Sequence, residues 1–280
     1  MPKQLNLQAI KALALDLDGT ALLPGNVLGG RTLRVLKALM AKGTEIIICT
    51  GRAIEGAEPY RSAIGTEGPM VYFNGAEIVD MPAGRMLSAT LLDLDVVDFC
   101  IDVSRAGGLH YQIYLPPAGG KYEALLIDKQ TPEAEMYREH TGIRPVVRNL
   151  KEAISEPGLA GCVKAMFISD PALHDEIRTK LLDRFGDRIY VARTFPTFLE
   201  VMDARVSKGA GLKTAMKYRG LKPEEVLALG DEENDLPMFS AAGFSAAPAN
   251  AKEKVRAAAG RVFGSSAEEG LAAFLEEISC

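Results

Sequence analysis

Leu13-Ala14-Leu15-Asp16-Leu17-Asp18-Gly19-Thr20 places two carboxylates directly after a short apolar run. An apolar run of this kind, ended by a glycine turn, is typical of a buried strand in a parallel sheet. Asp16 and Asp18 stand two residues apart, so on an extended strand both side chains point the same way and their charges repel. A divalent metal ion between them would remove this repulsion. The carboxyl ends of parallel strands are also where open α/β sheets bind ligands.

Three further motifs belong to the same predicted sheet edge. Residues 45–49 form an apolar run that leads into Thr50-Gly51-Arg52, and residues 226–229 lead into an acidic loop at 230–235. Both runs predict buried strands that deliver polar groups to the edge. Lys208 lies between them in the sequence, at the start of a helical pattern, where a helix N-terminus already favours anions. Together these motifs indicate a phosphate-binding site.

These four motifs resemble those of the haloacid dehalogenase superfamily of phosphatases. That family has an Asp-x-Asp strand end, a Ser/Thr strand end, a lysine and an acidic loop in this order, and the likeness spans about residues 11–250. The resemblance implies an α/β fold with a Rossmann-like, doubly wound parallel sheet. It also implies that Asp16, the backbone carbonyl of Asp18 and Asp231 hold Mg²⁺, with Asp235 oriented behind them.

The middle of the chain has a different pattern of predicted secondary structure from its two ends. Residues 70–79 contain two short apolar runs around Asn74-Gly75, which is a strong hairpin signal. Short predicted strands then alternate with amphipathic helices, of which 92–106 and 171–185 are the clearest. This pattern predicts a separate α+β unit inserted into the sheet domain.

An α+β insert after the third core strand resembles the C2B cap of the Cof-type subfamily. We expect the cap to comprise residues 83–205, which splits the core into residues 1–82 and 206–280. The core is expected to end in a helix at 267–278 behind a capping box formed by Ser266 with Glu269.

The residue types at the sheet edge predict a phosphatase that works through a covalent intermediate. A phosphomonoester is anionic, so a carboxylate attacks it only where a cation such as Mg²⁺ neutralises the charge. Asp16 is the predicted nucleophile, whose attack forms an aspartyl-phosphate and divides one difficult displacement into two. Asp18 is the predicted acid and base, which protonates the leaving alkoxide and then activates water. The donors expected on the phosphate oxygens are the Leu17 and Gly51 amides, Thr50, Lys208 and Asn234.

Several of these residues also have a plainer structural interpretation. Lys208 fits a solvated lysine at a helix start, and the acidic loop at 230–235 fits a helix cap. Arg52 suits a structural ion pair as well as a substrate contact. Asn74 is compatible with the left-handed residue of its turn, whereas the family resemblance places it facing the cleft.

Composition excludes several classes of partner. A chain of 280 residues that is 48% hydrophobic can bury a full core and form two domains. Its net charge of -5, without a Lys/Arg run, argues against nucleic acid or an anionic membrane as a partner.

No apolar window approaches a membrane span and the first residues lack a signal-peptide pattern, so the expected location is the cytoplasm. The scattered cysteines show no Cys-x-x-Cys spacing, which argues against a disulfide framework or a zinc site.

The motifs are compatible with three functions. The leading one is a Mg²⁺-dependent phosphatase for a small phosphomonoester, such as a sugar phosphate, under a cap that excludes macromolecules and water. A phosphomutase or phosphotransferase would pass the same aspartyl-phosphate to a hydroxyl of a hexose phosphate. A non-catalytic module that binds phosphorylated metabolites is disfavoured by the second acid, Asp18, which binding alone does not need. The sequence predicts no particular oligomeric state.

Overall fold

The computed structural model describes residues 10–117 and 122–279, which form two units. The first contains the described residues up to Arg52, Ala57–Ser88 and the described residues from Ser207 onward, and the second contains Ala53–Gly56 and Ala89–Val206. The limits of 83–205 that the sequence suggests for the cap stay a prediction. None of the helices in the described ranges has the length and apolar character that crossing a bilayer requires.

The strands and α-helices are numbered in chain order. The strands are β1 (Ala12–Leu15), β2 (Leu22–Leu23), β3 (Val27–Leu28), β4 (Glu45–Ile48), β5 (Gly68–Tyr72), β6 (Glu77–Met81), β7 (Arg85–Ala89), β8 (His110–Leu115), β9 (Ala124–Ile127), β10 (Val146–Val147), β11 (Lys164–Ile168), β12 (Ile189–Phe195), β13 (Phe198–Asp203), β14 (Val226–Leu229), β15 (Phe244–Pro248) and β16 (Arg261–Phe263). The helices are α1 (Gly30–Ala41), α2 (Ile54–Ile64), α3 (Leu94–Gly107), α4 (Pro132–Thr141), α5 (Leu150–Ile154), α6 (His174–Phe185), α7 (Lys208–Arg219), α8 (Leu236–Ala241), α9 (Glu253–Ala258) and α10 (Gly270–Ser279).

A parallel sheet with strand order β16-β15-β14-β1-β4 forms the core of the first unit. β1 is buried along its whole length between β14 and β4, as its apolar sequence predicts. Leu15 pairs with Leu229 of β14 and with Ile48 of β4, so the residues that follow these three strands lie at one edge. The predicted α/β class and the Rossmann-like parallel core are confirmed.

The predicted hairpin around Asn74-Gly75 is confirmed. β5 and β6 pair antiparallel, with Tyr72 opposite Glu77, and Asn74 takes a left-handed conformation with φ +56° in the turn. Gly75 is required in its position because a Cβ atom there would lie 2.2 Å from the carbonyl oxygen of Ser207. The turn therefore packs closely against the residue that precedes α7.

The second unit is the predicted α+β insert. Its sheet has the order β10-β9-β8-β11-β13-β12, antiparallel except where β10 pairs with β9. One hydrophobic cluster joins β8, β11 and β13 to α3 and α6, and it includes Tyr111, Phe167 and Leu181. The helix predicted at 171–185 starts with a separate 3₁₀ turn over Pro171–Leu173, before α6.

The predicted capping box of Ser266 with Glu269 is wrong. Ser265 caps a short 3₁₀ turn by accepting a hydrogen bond from the Ala267 amide. Glu269 is left-handed, with φ +51°, and its Oε1 accepts a hydrogen bond from the Thr32 amide in the first turn of α1 at 2.9 Å. The last helix therefore starts at Gly270, because the left-handed backbone of Glu269 cannot be part of it, and the carboxylate of Glu269 caps a different helix.

Candidate active site

Asp16 is the first residue after β1 and is 4% exposed. Its amide donates a hydrogen bond to the Leu229 carbonyl at 3.0 Å, so the sheet holds its backbone rigidly. The chain then turns at Gly19, with φ +74°, and brings the buried Thr20 hydroxyl to donate to Asp231 Oδ1 at 3.2 Å. The turn thus connects the ends of β1 and β14 through side chains.

Lys208 connects two of the predicted carboxylates. Its Nζ lies 2.6 Å from Asp16 Oδ1 and 2.6 Å from Asp235 Oδ1, and the residue is 2% exposed. A solvated lysine, the plainer interpretation, is therefore wrong. Burial lowers the pKa of Lys208, but the charges of Asp16 and Asp235 raise it further, so that the net shift is upward and the ammonium stays protonated.

Asp235 is wholly buried, with 0% exposure, and both of its carboxylate oxygens have partners. Oδ1 accepts a hydrogen bond from Lys208, while Oδ2 accepts from the amides of Asp231 at 2.9 Å and Glu232 at 3.0 Å. A Cβ atom on Gly230 would lie 2.3 Å from Asp235 Cγ, so glycine allows this close approach. Asp235 therefore holds the acidic loop and the lysine in place.

Asp18 lies at the same edge, and its carboxylate has a different cationic partner from that of Asp16. The side chain is 50% exposed, and Arg52 binds both of its oxygens, with Nε 2.8 Å from Oδ2 and one terminal nitrogen 2.5 Å from Oδ1. Arg52 thus forms the ion pair that the sequence offered as one of two possibilities. The role predicted for the backbone carbonyl of Asp18 as a metal ligand stays a prediction.

Thr50 and Gly51 follow β4 and lie against the hairpin turn. Thr50 is 0% exposed, and its carbonyl oxygen accepts a hydrogen bond from the Asn74 amide at 2.9 Å. A Cβ atom on Gly51 would lie 3.1 Å from Asn74 Oδ1, and this same oxygen accepts a hydrogen bond from Asn234 Nδ2 at 2.9 Å. Asn74 therefore orients the side chain of Asn234, whose own Oδ1 is buried and accepts no hydrogen bond within the described ranges.

Sequence reasoning missed one residue at this edge, Asn250. Its Nδ2 donates to the carbonyl of Gly19 at 2.9 Å, and its Oδ1 accepts from the amide of Ser266 at 2.8 Å. It follows β15 in the same order of strand and then polar residue as the other motifs, so this order could have identified it.

Leu17 is wholly buried at the start of the turn that follows β1. The role of its backbone amide as a donor to the phosphate stays a prediction.

The comparison with known families decides the assignment. The model of the haloacid dehalogenase-like hydrolases matches residues 13–275. The chain belongs to this family. The resemblance to Cof-type haloacid dehalogenase phosphatases is thereby confirmed, and with it the predicted class of enzyme.

The relatives of this hydrolase match most of its length. It is 29% identical to the 5-amino-6-(5-phospho-D-ribitylamino)uracil phosphatase of Bacillus subtilis, over 95% of this chain and 96% of that protein. It is 26% identical to the HMP-PP phosphatase of Serratia proteamaculans, over 87% of this chain and 85% of the relative. The crystal structure of TM0651 from Thermotoga maritima matches with a TM-score of 0.85 and 28% identity, over 97% of this chain and 98% of that one.

Three buried carboxylates of this hydrolase form a site that fits a hard divalent cation. Oxygens of Asp16, Asp231 and Asp235 lie within 4.8 Å of one another, and Lys208 supplies a single positive charge among them. Burial raises the pKa of Asp16 well above its ordinary value, and neighbouring carboxylates add to this effect. Burial, followed by the charge of Asp235, raises the pKa of Asp231 to about 7. A cluster of oxygen donors with excess negative charge suits a cation such as Mg²⁺.

Gly19→Ala is expected to damage the site more than the fold. The new Cβ atom would lie 2.2 Å from Asp231 Oδ2, so the carboxylate must move and kcat is expected to fall about 10²-fold. The free energy of unfolding should fall by about 1–3 kcal/mol because the backbone is left-handed there. Phosphate release and thermal unfolding measure the two effects.

Gly43→Ala is the matched control for this variant. Gly43 is also left-handed, with φ +94°, but a Cβ atom there meets nothing within 4 Å. It should therefore destabilise the protein without lowering kcat. Equal losses of kcat in the two variants would contradict the importance of the contact with Asp231.

Proposed function

We propose that this hydrolase is a magnesium-dependent phosphatase that hydrolyses a small phosphomonoester, such as a sugar phosphate, through an aspartyl-phosphate on Asp16. The observation that carries this proposal is the buried Asp16 carboxylate, which Lys208 holds at 2.6 Å beside two further carboxylates. The relatives named as phosphatases of small phosphorylated metabolites support the same class of substrate.

Asp16 acts as the nucleophile in the first step. Its Oδ1 accepts a hydrogen bond from Lys208, so we assign the attack on phosphorus to Oδ2. The new bond joins this oxygen to phosphorus, the ester bond to the alkoxide breaks, and Asp18 gives the alkoxide a proton. The hydrogen-bonded backbone of Asp16 and the lysine on Oδ1 hold the attacking oxygen in a fixed position.

Water completes the reaction in the second step. Asp18 takes a proton from the water while the water oxygen attacks the phosphorus of the aspartyl-phosphate. Inorganic phosphate leaves, and the carboxylate of Asp16 is restored. The same Asp18 thus serves as the acid and then as the base.

The charge of the phosphate is balanced by the surrounding groups. Mg²⁺ held by Asp16, Asp231 and the Asp18 carbonyl would neutralise the negative charge on the phosphate oxygens. An anionic nucleophile could then attack the phosphorus with less charge repulsion. Asp235 acts behind these ligands, because its own oxygens are engaged by Lys208 and by two backbone amides. We assign the phosphate oxygens to the following donors: Thr50, the Gly51 and Leu17 amides, Lys208, and Asn234, which Asn74 orients.

Asp18→Asn is expected to depend on the leaving group. With an alkyl phosphate, kcat should fall about 10²–10³-fold because the alkoxide must be protonated as it leaves. An aryl phosphate needs little protonation, so transfer to Asp16 should continue and produce a burst of phenol while hydrolysis slows. Rapid-mixing measurements with both substrates make the comparison.

Asp203→Asn is the matched control for Asp18→Asn. Arg205 binds the Asp203 carboxylate with two hydrogen bonds of 2.8 and 2.9 Å, so this variant breaks a similar ion pair that includes none of the proposed catalytic residues. Its kcat should stay unchanged on both substrates. An equal fractional loss on alkyl and aryl phosphates in Asp18→Asn, without a burst, would show that Asp18 is not the acid and base.

The function itself is tested by phosphate release from a panel of phosphorylated metabolites, in which the proposal expects turnover of at least one small monoester. Reaction of a hexose phosphate in ¹⁸O-labelled water separates hydrolysis from transfer. Label in the released phosphate supports a phosphatase, whereas a hexose bisphosphate or an isomerised hexose phosphate would instead support the phosphotransferase alternative. Binding without turnover of any ester would favour a non-catalytic module.

A further inference from the structure

A chain of contacts runs from Asp18 to a neighbouring hairpin turn. Arg52 binds the carboxylate of Asp18 through two hydrogen bonds, and the Cζ atom of Arg52 lies 5.1 Å from the ring centroid of Tyr60 on α2. The Tyr60 hydroxyl donates a hydrogen bond to the carbonyl of Asn26 at 2.8 Å. Asn26 is left-handed, with φ +62°, in the turn between β2 and β3.

These contacts restrict the guanidinium from more than one side. A flat guanidinium that binds both oxygens of a carboxylate holds it in one plane, and an aromatic ring within about 6 Å attracts the cation electrostatically. The Arg52 side chain is only 19% exposed, so few other positions are open to it. The hydrogen bond to Asn26 in turn fixes the Tyr60 ring. Tyr60 thus contacts Arg52, which in turn binds the carboxylate of Asp18.

We propose that Tyr60 is a positioning residue, which holds Arg52 and through it the carboxylate of Asp18. The inference rests on the proposed function, in which Asp18 moves a proton to the leaving group. Proton transfer depends on a short and well-aligned approach. Loss of Tyr60 should therefore affect proton transfer and leave the binding of substrate nearly unchanged.

Two variants of Tyr60 test the proposal with an alkyl phosphate and an aryl phosphate. Tyr60→Leu removes both the ring and the hydroxyl, and kcat on the alkyl ester is expected to fall about tenfold, part of what acid and base catalysis contributes. On the aryl ester, the rate of phosphoryl transfer to Asp16, measured as the release of phenol on rapid mixing, should fall less than about twofold. Hydrolysis of the aspartyl-phosphate should slow on both esters because Asp18 is also its base, and KM for the alkyl ester should change little. Tyr60→Phe keeps the ring and removes the hydroxyl, with its hydrogen bonds to the Asn26 carbonyl and to Arg52, so its loss on the alkyl ester should be about two- to threefold.

Tyr218→Leu is the matched control. Tyr218 also has an arginine over its ring, with Arg85 Cζ 5.6 Å from the centroid, and its hydroxyl donates to Asp80 at 3.3 Å. It lies ten residues after Lys208 in α7, about 15 Å along the helix axis. Its kcat on both esters should equal that of the unchanged protein.

The Asp18→Asn background separates a positioning role from a general structural one. If Tyr60 acts through Asp18, then Tyr60→Leu should lower kcat no further in this background. A full tenfold loss there, or equal losses in the rate of phosphoryl transfer from the alkyl and aryl esters in the single variant, would overturn the inference while the phosphatase activity of the unchanged protein stands. Absence of turnover by the unchanged protein on every ester would overturn the proposed function and this inference with it.

Discussion

Asp16→Asn is expected to lower kcat by about 10⁴-fold or more while the fold stays intact. An amide has nearly the shape of a carboxylate, but it cannot attack phosphorus and carries no charge to hold a cation. The loss should be of similar size on alkyl and aryl phosphates, because a good leaving group does not replace the nucleophile. Steady-state phosphate release measures the effect, and circular dichroism checks the fold.

Thermal unfolding provides a second measurement on the same variant. Burial and the nearby carboxylates raise the pKa of Asp16, so its ionised form is costly when no cation is bound. Lys208 keeps Asp235 as a partner in the variant. The metal-free Asp16→Asn protein should therefore be at least as stable as the unchanged one. Turnover near that of the unchanged protein, or an acyl-phosphate trapped on another residue, would contradict the assignment of the nucleophile.

Removal of divalent metal is expected to lower turnover by about 10³-fold or more, and Mg²⁺ should restore it. Without the cation, an anionic phosphate would approach three buried carboxylates that share one ammonium. Calcium should restore binding but not rate, because its longer and looser coordination misplaces the attacking oxygen. The measurement is phosphate release after dialysis against a chelator, with the metal content determined at each stage.

Mg²⁺ should stabilise the folded protein more at high pH than at low pH. The pKa of Asp231 in the folded protein is about 7, above its value in the unfolded chain, so this group favours folding at low pH. The contribution of this group to the free energy of unfolding of the metal-free protein should therefore be lost as pH rises from about 4 to about 7, and the loss should level off at higher pH. Mg²⁺ should raise the melting temperature more at pH 8 than at pH 5, because protons compete with Mg²⁺ for the carboxylates at the lower pH.

The metal-removal experiment has one outcome that would contradict the assignment. Full turnover by protein shown to be free of metal would exclude the proposed metal site.

Much of the fold is predictable because its signals are local. The apolar run of residues 12–15, followed by a carboxylate and a glycine turn, is sufficient to predict a buried parallel strand with a polar end. The Asn74-Gly75 pair predicts its hairpin for a similar reason, since a left-handed turn needs such residues. Strand ends in a parallel sheet meet at one edge, so the strand-end residues of the candidate site could also be predicted to gather there.

Tertiary structure alone decided which of these residues contact each other. Lys208 lies 192 residues from Asp16 in the chain, and no local pattern shows that it contacts Asp16 or that it also binds Asp235. The sequence is equally compatible with Arg52 as an ion-pair residue or as a substrate contact, and only the structure shows its hydrogen bonds to Asp18. Glu269 has the spacing of a capping box, yet it caps a helix more than 200 residues away in sequence because that helix packs beside it. Spacing along the chain determines which groups reach an edge, but the partner of a charged side chain is set by packing between distant segments.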